Sequence, residues 1–414
     1  MRIAYFVPYV PSLIRVRPYH LLLQLTKQGI EVVLFTVAAN DRELAQAVAL
    51  RSKLADVAVH KQPLLRSMMN CLVALPTKTP LQSVFSWNPH LQADFTRRAG
   101  REEFDLVHVE HLRGSKYGLL INAMFPGMPI VWDSVDCISH LFAQTSRRSR
   151  SLGGKLVSLL ELKRTQQAEG RAVSLFDHIL ITSRTDKDAL VSLAPNGKDP
   201  SPVTILPNGV DLEYFRRDTS QPREAETIVF TGKMSYHANI SMVDYLITEI
   251  MPKVWAKRPA ARVIIVGKDP PKKVREFAKN PLIQITGTVE DIRPYLWTAT
   301  LAVVPLVYGA GIQNKILEGM ASGTPIVTTS AAFSNLQGTP GVDALIADTP
   351  EDFAEAILRL IENQGLRLAV GEAGLKYVHV FHDWKQMASR LKGIYQEVIT
   401  HKRSRSGTTS DRRI

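Results

Sequence analysis

Only two cysteines, Cys71 and Cys137, occur in 414 residues, and they stand far apart. A disulfide framework and a cysteine-based zinc site are therefore excluded, and a reducing compartment is expected. No run of eighteen apolar residues appears, so no membrane-spanning helix is expected. The opening MRIAYFVPYV carries one charge and a short strand-like run. It lacks the long apolar stretch and small-residue cleavage site of a signal peptide. No GxGxxG opens the first half, which argues against a dinucleotide-dependent dehydrogenase. The scattered aspartates show no metal-ligand spacing, so no metal is expected. No arginine-rich groove motif or aromatic RNA-binding strand accompanies the basic residues, which argues against a nucleic-acid partner. No short-period repeat is visible. The remaining expectation is a cytoplasmic globular protein.

At this length two domains are expected. The net charge of +12 is unevenly placed: residues 1–200 hold 25 Lys+Arg against 17 Asp+Glu, and residues 401–414 hold five basic residues and one acid. A basic first half suits an anionic membrane surface or a phosphorylated acceptor, and equally an ordinary solvated surface. Peripheral attachment at the inner face of a membrane therefore joins cytoplasmic localisation as an expectation.

Apolar runs of strand length at 2–7, 30–37, 104–108, 129–132, 176–182 and 203–206 alternate with helical spacings. The first is followed by a loop, a helix opened by Pro18 and stopped at Gly29, and the second run, which makes a βαβ opening. Arg15 and Arg17 lie in that loop with His20 just inside the helix, where ligand clefts of open α/β sheets form. Arg17 reads either as an anion-binding group or as one that caps the helix or pairs with a surface acid. Residues 41–74 look helical in pieces. The piece 64–73 reads as core or interdomain wall, with a membrane-facing helix as the alternative. Glu110-His111 and Asp133 follow strand-like runs. The polar segment 216–226 reads as an interdomain linker, and the alternation restarts at 227–230.

The second half is organised around residues 301–329, LAVVPLVYGAGIQNKILEGMASGTPIVTT. This reads as strand, glycine loop, helix, glycine stop and strand. Gly309 and Gly311 let the backbone approach a ligand closely. The amides of Gly311, Ile312, Gln313 and Asn314 would face outward at the positive end of the helix, which suits a phosphate. Lys315 adds a full charge, and Glu318 offers a carboxylate to a pair of sugar hydroxyls. A βα turn that uses glycine for geometry alone is the plainer alternative. The expected fold class is α/β: two Rossmann-like domains facing a cleft, at 1–203 and 204–379. A last helix at 380–400 crosses back to the first domain, and a disordered basic tail occupies 401–414.

The segments ILPNGVDLEYF (205–215), VFTGKMSYHANI (229–240), VIIVGKDP (263–270), ITGTVEDIRPYL (285–296) and VVPLVYGAGIQNKILEGMASGTPIV (303–327) stand in order. With them the chain resembles the group 1 glycosyltransferases, family 4 of the retaining nucleotide-sugar-dependent enzymes with the two-Rossmann GT-B fold. GAGIQNK and RVRPYHLLLQL make it similar to bacterial sugar transferases of exopolysaccharide clusters. The resemblance implies that Glu318 holds the donor ribose, and that Lys233, after Gly232, contacts the diphosphate together with Lys315. It implies that Ile285 and Gly287 line the base pocket. The family's first paired acid is Ala310 here, and its second basic residue after the glycine is replaced by the loop 235–239. The N-terminal loop lacks the usual paired glycines, and a histidine common at the end of the fourth strand is Asp133.

The resemblance implies transfer of a sugar from a nucleotide-diphosphate sugar to a glycan or lipid-linked acceptor, with retention, no metal and no cofactor. Arg15, Arg17, His20, His111 and Asp133 are the acceptor-side candidates. A nucleotide-sugar epimerase or hydrolase on the same fold, or a non-catalytic scaffold, are the competing readings.

Overall fold

A computed structural model describes residues 1–101, 103–148, 152–308 and 312–410. The chain divides into two compact units: 1–207 with 384–414, and 208–383.

The first unit holds strands β1 (Arg2–Val7), β2 (Glu31–Ala38), β3 (Asp56–Lys61), β4 (Leu106–Glu110), β5 (Ile130–Val135), β6 (His178–Ile181) and β7 (Val203–Ile205). Their order is β3-β2-β1-β4-β5-β6-β7, and every pair is parallel. The helices between them are α1 (Val16–Lys27), α2 (Asp41–Ala49), α3 (Leu64–Ala74), α4 (Leu81–Phe85), α5 (Pro89–Ala99), α6 (His111–Met124), α7 (Ile138–Arg148), α8 (Leu152–Val173) and α9 (Arg184–Val191). In β2, every residue after Glu31 is buried, because helices cover both faces of a parallel sheet. Strand β3 falls within the segment read as helical: DVAVHK is too short for its period of two to stand out beside the flanking helical spacings.

The second unit repeats the scheme with β8 (Thr227–Thr231), β9 (Arg262–Val266), β10 (Ile283–Gly287), β11 (Leu301–Val304), β12 (Ile326–Thr328) and β13 (Leu345–Ile346) in the order β10-β9-β8-β11-β12-β13. Its helices include α10 (His237–Tyr245), α11 (Met251–Lys257), α12 (Lys272–Glu276), α13 (Arg293–Thr298), α14 (Asn314–Ala321), α15 (Ser330–Phe333), α16 (Pro350–Glu362) and α17 (Gln364–Phe381). The expected linker 216–226 is packed into this unit instead. The guanidinium of Arg223 donates to the carbonyls of Gly323 (2.6 Å) and Ala299 (2.7 Å).

The last helix, α18 (Trp384–Ser410), belongs to the first unit. Trp384, Met387, Leu391 and Tyr395 join the core on one face of that sheet. The helix continues through residues expected to be disordered. Lys402 and Arg403 pair at 2.8 Å with Asp177 and Asp105, which tether that stretch.

Candidate active site

Each sheet reverses its strand order once: β1 neighbours β4 in the first, and β8 neighbours β11 in the second. In an open parallel sheet the loops leaving the strands on either side of such a reversal part in opposite directions and open a crevice at the carboxyl edge.

In the second unit the loop after β8 begins at Gly232 and Lys233. A Cβ on Gly267, at the end of β9, would overlap the Gly232 carbonyl, so the two loops touch only because glycine is there. Asn239 of α10 is the hinge pin of this region. Its Nδ2 donates to the Lys233 carbonyl at 2.9 Å, and its Oδ1 accepts from Lys315 Nζ at 2.6 Å. Lys315 Nζ also sits 4.8 Å from the centre of the Phe230 ring. Burial lowers the Lys315 ammonium to about 8 against the opposing pull of Glu318, and burial raises the Glu318 carboxyl to about 7 against the pull of Lys315. An anion beside this pair would restore charge to Lys315.

Helix α14 starts at Asn314, with Gln313 in the cap position and no side chain capping it. Asn208 Nδ2 donates to Asn314 Oδ1 at 3.2 Å and holds the first turn. Ile312 is buried in the core. Gly309, Ala310 and Gly311 lie outside the described residues. Tyr308, just before them, bonds His237 Nδ1 through its hydroxyl at 2.9 Å. Ile285 and Gly287 end β10 at the same carboxyl edge, two strands from β8, or about 10 Å. Gly287 has φ +68°, a conformation that favours glycine.

In the first unit the crevice is flanked by the loop after β1 and by Glu110-His111 after β4. Glu110 Oε1 accepts the Tyr9 hydroxyl at 2.7 Å. Burial, with Asp133 nearby, raises the Glu110 carboxyl to about 8. His111 has φ +62° and accepts the Arg113 N–H at 3.3 Å. Burial beside Arg113 lowers its imidazole to about 4, so it is neutral. Arg15 lies over the Tyr9 ring and pairs with Glu43 at 3.3 Å. Arg17 is buried, and its Nε and Nη2 both reach Asp133 Oδ2 at 2.8 Å. The structure thus pairs Arg17 with a buried acid rather than a surface one. Asp133 stands on the fifth strand, because β3 precedes it unseen in the sequence. It also faces His108 Nε2 at 3.9 Å, and His108 Nδ1 meets the Tyr395 hydroxyl at 2.8 Å. His20 is covered by Trp384, whose ring stacks on it at 5.5 Å. Among the described residues no three His, Cys, Asp or Glu side chains are grouped to hold a metal.

Comparison with known families decides what these two crevices belong to. Residues 225–363 match the family of glycosyl transferases group 1, and residues 15–214 match glycosyltransferase family 4. The two matches together span well over half of the chain. This chain belongs to the group 1, family 4 glycosyltransferases. Among curated relatives, it is 22% identical to D-inositol 3-phosphate glycosyltransferase of a Nocardioides strain, over 71% of this chain and 77% of that protein. It is also 22% identical to the Escherichia coli UDP-Gal:alpha-D-GlcNAc-diphosphoundecaprenol alpha-1,3-galactosyltransferase, over 73% of this chain and 78% of that protein. Among solved structures, Anabaena HepE in complex with UDP matches with a TM-score of 0.66 at 14% identity, over 96% of this chain and all of HepE. That likeness is one of fold.

In this glycosyltransferase the structure brings Gly232, Lys233, Lys315 and Glu318 to one reversal of strand order. Asn239, which joins them, escaped the sequence reading. It lies on the first turn of α10, at the end of the segment 235–239 that departs from the family's second basic residue, and an asparagine alone carries no charge signal. Glu110, His108 and Tyr395 were equally invisible as a group, since they come from a strand and a helix almost 300 residues apart.

Proposed function

We propose that the glycosyltransferase is a retaining, metal-independent hexosyltransferase. It moves a sugar from a nucleoside-diphosphate sugar to a glycan or lipid-linked acceptor in cell-surface polysaccharide synthesis. The observation that carries this reading is the Lys233–Asn239–Lys315 chain, with Glu318, at the β8–β11 reversal. The lysines and the uncapped first turn of α14 meet the diphosphate, and Glu318 accepts the ribose hydroxyls. The ends of β10 at Ile285 and Gly287 take the base. HepE, bound to UDP, and the E. coli galactosyltransferase, named for a UDP-Gal donor and a diphosphoundecaprenol-linked acceptor, support uracil as the first base to test and a polyprenyl-diphosphate-linked sugar as the first acceptor.

Breaking the sugar–phosphate bond leaves negative charge on the diphosphate, where fixed cations and amides stabilise it. Deleting one such donor costs on the order of 3 kcal/mol, about a hundredfold in rate. The acceptor hydroxyl attacks the anomeric carbon on the face the diphosphate leaves, and the leaving phosphate oxygen takes its proton.

The test is transfer of labelled sugar from UDP-sugars to polyprenyl-diphosphate-linked acceptors in the presence of a chelator, with the product anomer read by NMR. A retained anomer formed without metal supports the proposal. Inversion, metal dependence, or donor hydrolysis that no acceptor redirects refutes it.

A further inference from the structure

Helix α3 is amphipathic in the wrong sense for a core helix. It faces the protein with Ser67 and Ala74 buried and Asn70 and Cys71 half-buried. The Asn70 amide donates to the carbonyls of Val84 and Trp87, both at 2.9 Å, and so fastens that polar side inward. Its other side carries Leu64, Leu65, Met68, Met69, Leu72 and Val73 in two adjacent rows of period four, all exposed, with Leu65 at 70% and Val73 at 74%. An apolar stripe of this size on a monomer's surface marks an interaction site. The sequence reading of 64–73 as core is thereby overturned.

Three further observations say what covers the stripe. First, it extends onto α8: Leu159 and Leu160 are exposed, and the two residues' neighbours Glu161 and Arg164 bond Leu81 N and the Leu75 carbonyl at the end of the α3 region. Second, the acid nearest to it, Glu161, is buried and paired with Arg164, and the chain on either side lacks acids. No Asp or Glu occurs from Gln62 to Ala93, where Arg66 and the exposed Lys78 stand, nor from Cys137 to Leu160, and Lys163 is exposed just beyond on α8. Third, α3 leaves the carboxyl end of β3, and all strands of this sheet are parallel. The stripe therefore issues from the same sheet edge as the β1–β4 crevice, whose β1 loop exposes Leu13 and Ile14.

We infer that α3 docks the glycosyltransferase on an anionic lipid bilayer, with its apolar rows in the acyl boundary and the basic residues at the headgroups. This sets the β1–β4 crevice toward the bilayer, where a lipid-linked acceptor presents its sugar; that last step rests on the acceptor reading above. A protein partner or second copy would bury such a stripe too, but neither accounts for a flank emptied of acids.

The test is flotation of the full chain with phosphatidylcholine vesicles with and without phosphatidylglycerol, at low and high salt. The same is done for Leu65→Glu/Met69→Glu and, separately, Lys78→Glu, which should weaken the binding to phosphatidylglycerol. All changed residues are exposed, and unchanged UDP-induced thermal shifts report an intact fold and donor site. The expected result is binding that needs phosphatidylglycerol, weakens with salt, and falls roughly tenfold or more in the double variant. No binding at low salt, equal binding to neutral vesicles, or full binding by the double variant overturns the inference. So does a concentration-dependent dimer in sedimentation velocity that the double variant abolishes. Loss of vesicle binding with UDP recognition intact leaves the transferase reading standing; loss of UDP recognition in the unaltered chain sinks that reading instead.

Discussion

Lys315 offers the sharpest test of the donor site, because its ammonium is poised to change charge near neutral pH. Burial holds it at about 8 in the ligand-free chain, against the pull of Glu318. A diphosphate beside Nζ favours the charged form and lifts it well above that value. Binding therefore takes up a proton, by about half per ligand at pH 8. The charged fraction of a group titrating at about 8 falls from roughly three-quarters at pH 7.5 to roughly a tenth at pH 9, so UDP affinity should drop roughly eightfold over that range. Glu318, at about 7, is already largely ionised there. The assay is isothermal titration calorimetry at pH 7.5, 8 and 9, in two buffers of different ionisation enthalpy. Lys315→Met should cost about 1.5–3 kcal/mol, roughly ten- to 150-fold in affinity, and should abolish the extra proton. Comparison with that variant cancels the ionisation of the nucleotide itself. A flat affinity with no proton uptake, or a slope that survives in Lys315→Met, refutes the assignment of Lys315 to the diphosphate.

Glu318→Ala should erase the nucleotide-induced gain in thermal stability, which at one hundred times the dissociation constant is roughly 2.7 kcal/mol. It should also erase discrimination between UDP and its 2′,3′-dideoxy analogue; a variant that still discriminates places the ribose elsewhere. Arg17→Met leaves the fully buried Asp133 carboxylate unpaired and should cost about 3–5 kcal/mol in urea unfolding, recovered in large part by adding Asp133→Leu. An effect within experimental error would mean that the pair does not form. Burial raises the Glu110 carboxyl from 4.5 to about 8, so the folded chain holds a proton that the unfolded chain has lost, and stability declines as pH rises through that window. Glu110→Gln removes the decline, so its melting temperature relative to the parent should rise between pH 5 and pH 8. A constant difference would show that Glu110 is ionised throughout.

The alternation of apolar runs and helical spacings, and the glycines at 232, 267, 287 and 323, determined two parallel-sheet units and marked the loops that carry Lys233, Lys315 and Glu318. Those signals are local: a strand period, a helix period and a positive-φ turn are written within a dozen residues. What the sequence could not determine is what faces what. It shows that α3 has an apolar side, but only packing puts Ser67 and Asn70 inward and Leu65 and Met69 outward. It shows an arginine in a loop and an aspartate after a strand, but only the reversal of strand order at β1–β4 brings Arg17 and Asp133, 116 residues apart, into contact. It shows a departure from the family at 235–239, but only the fold turns Asn239 into the bridge between Lys233 and Lys315. Periodicity fixes the elements because backbone hydrogen bonding is local. Partner choice among buried polar groups is set by long-range packing, where a charge taken from water must find its complement wherever the sheet happens to place it.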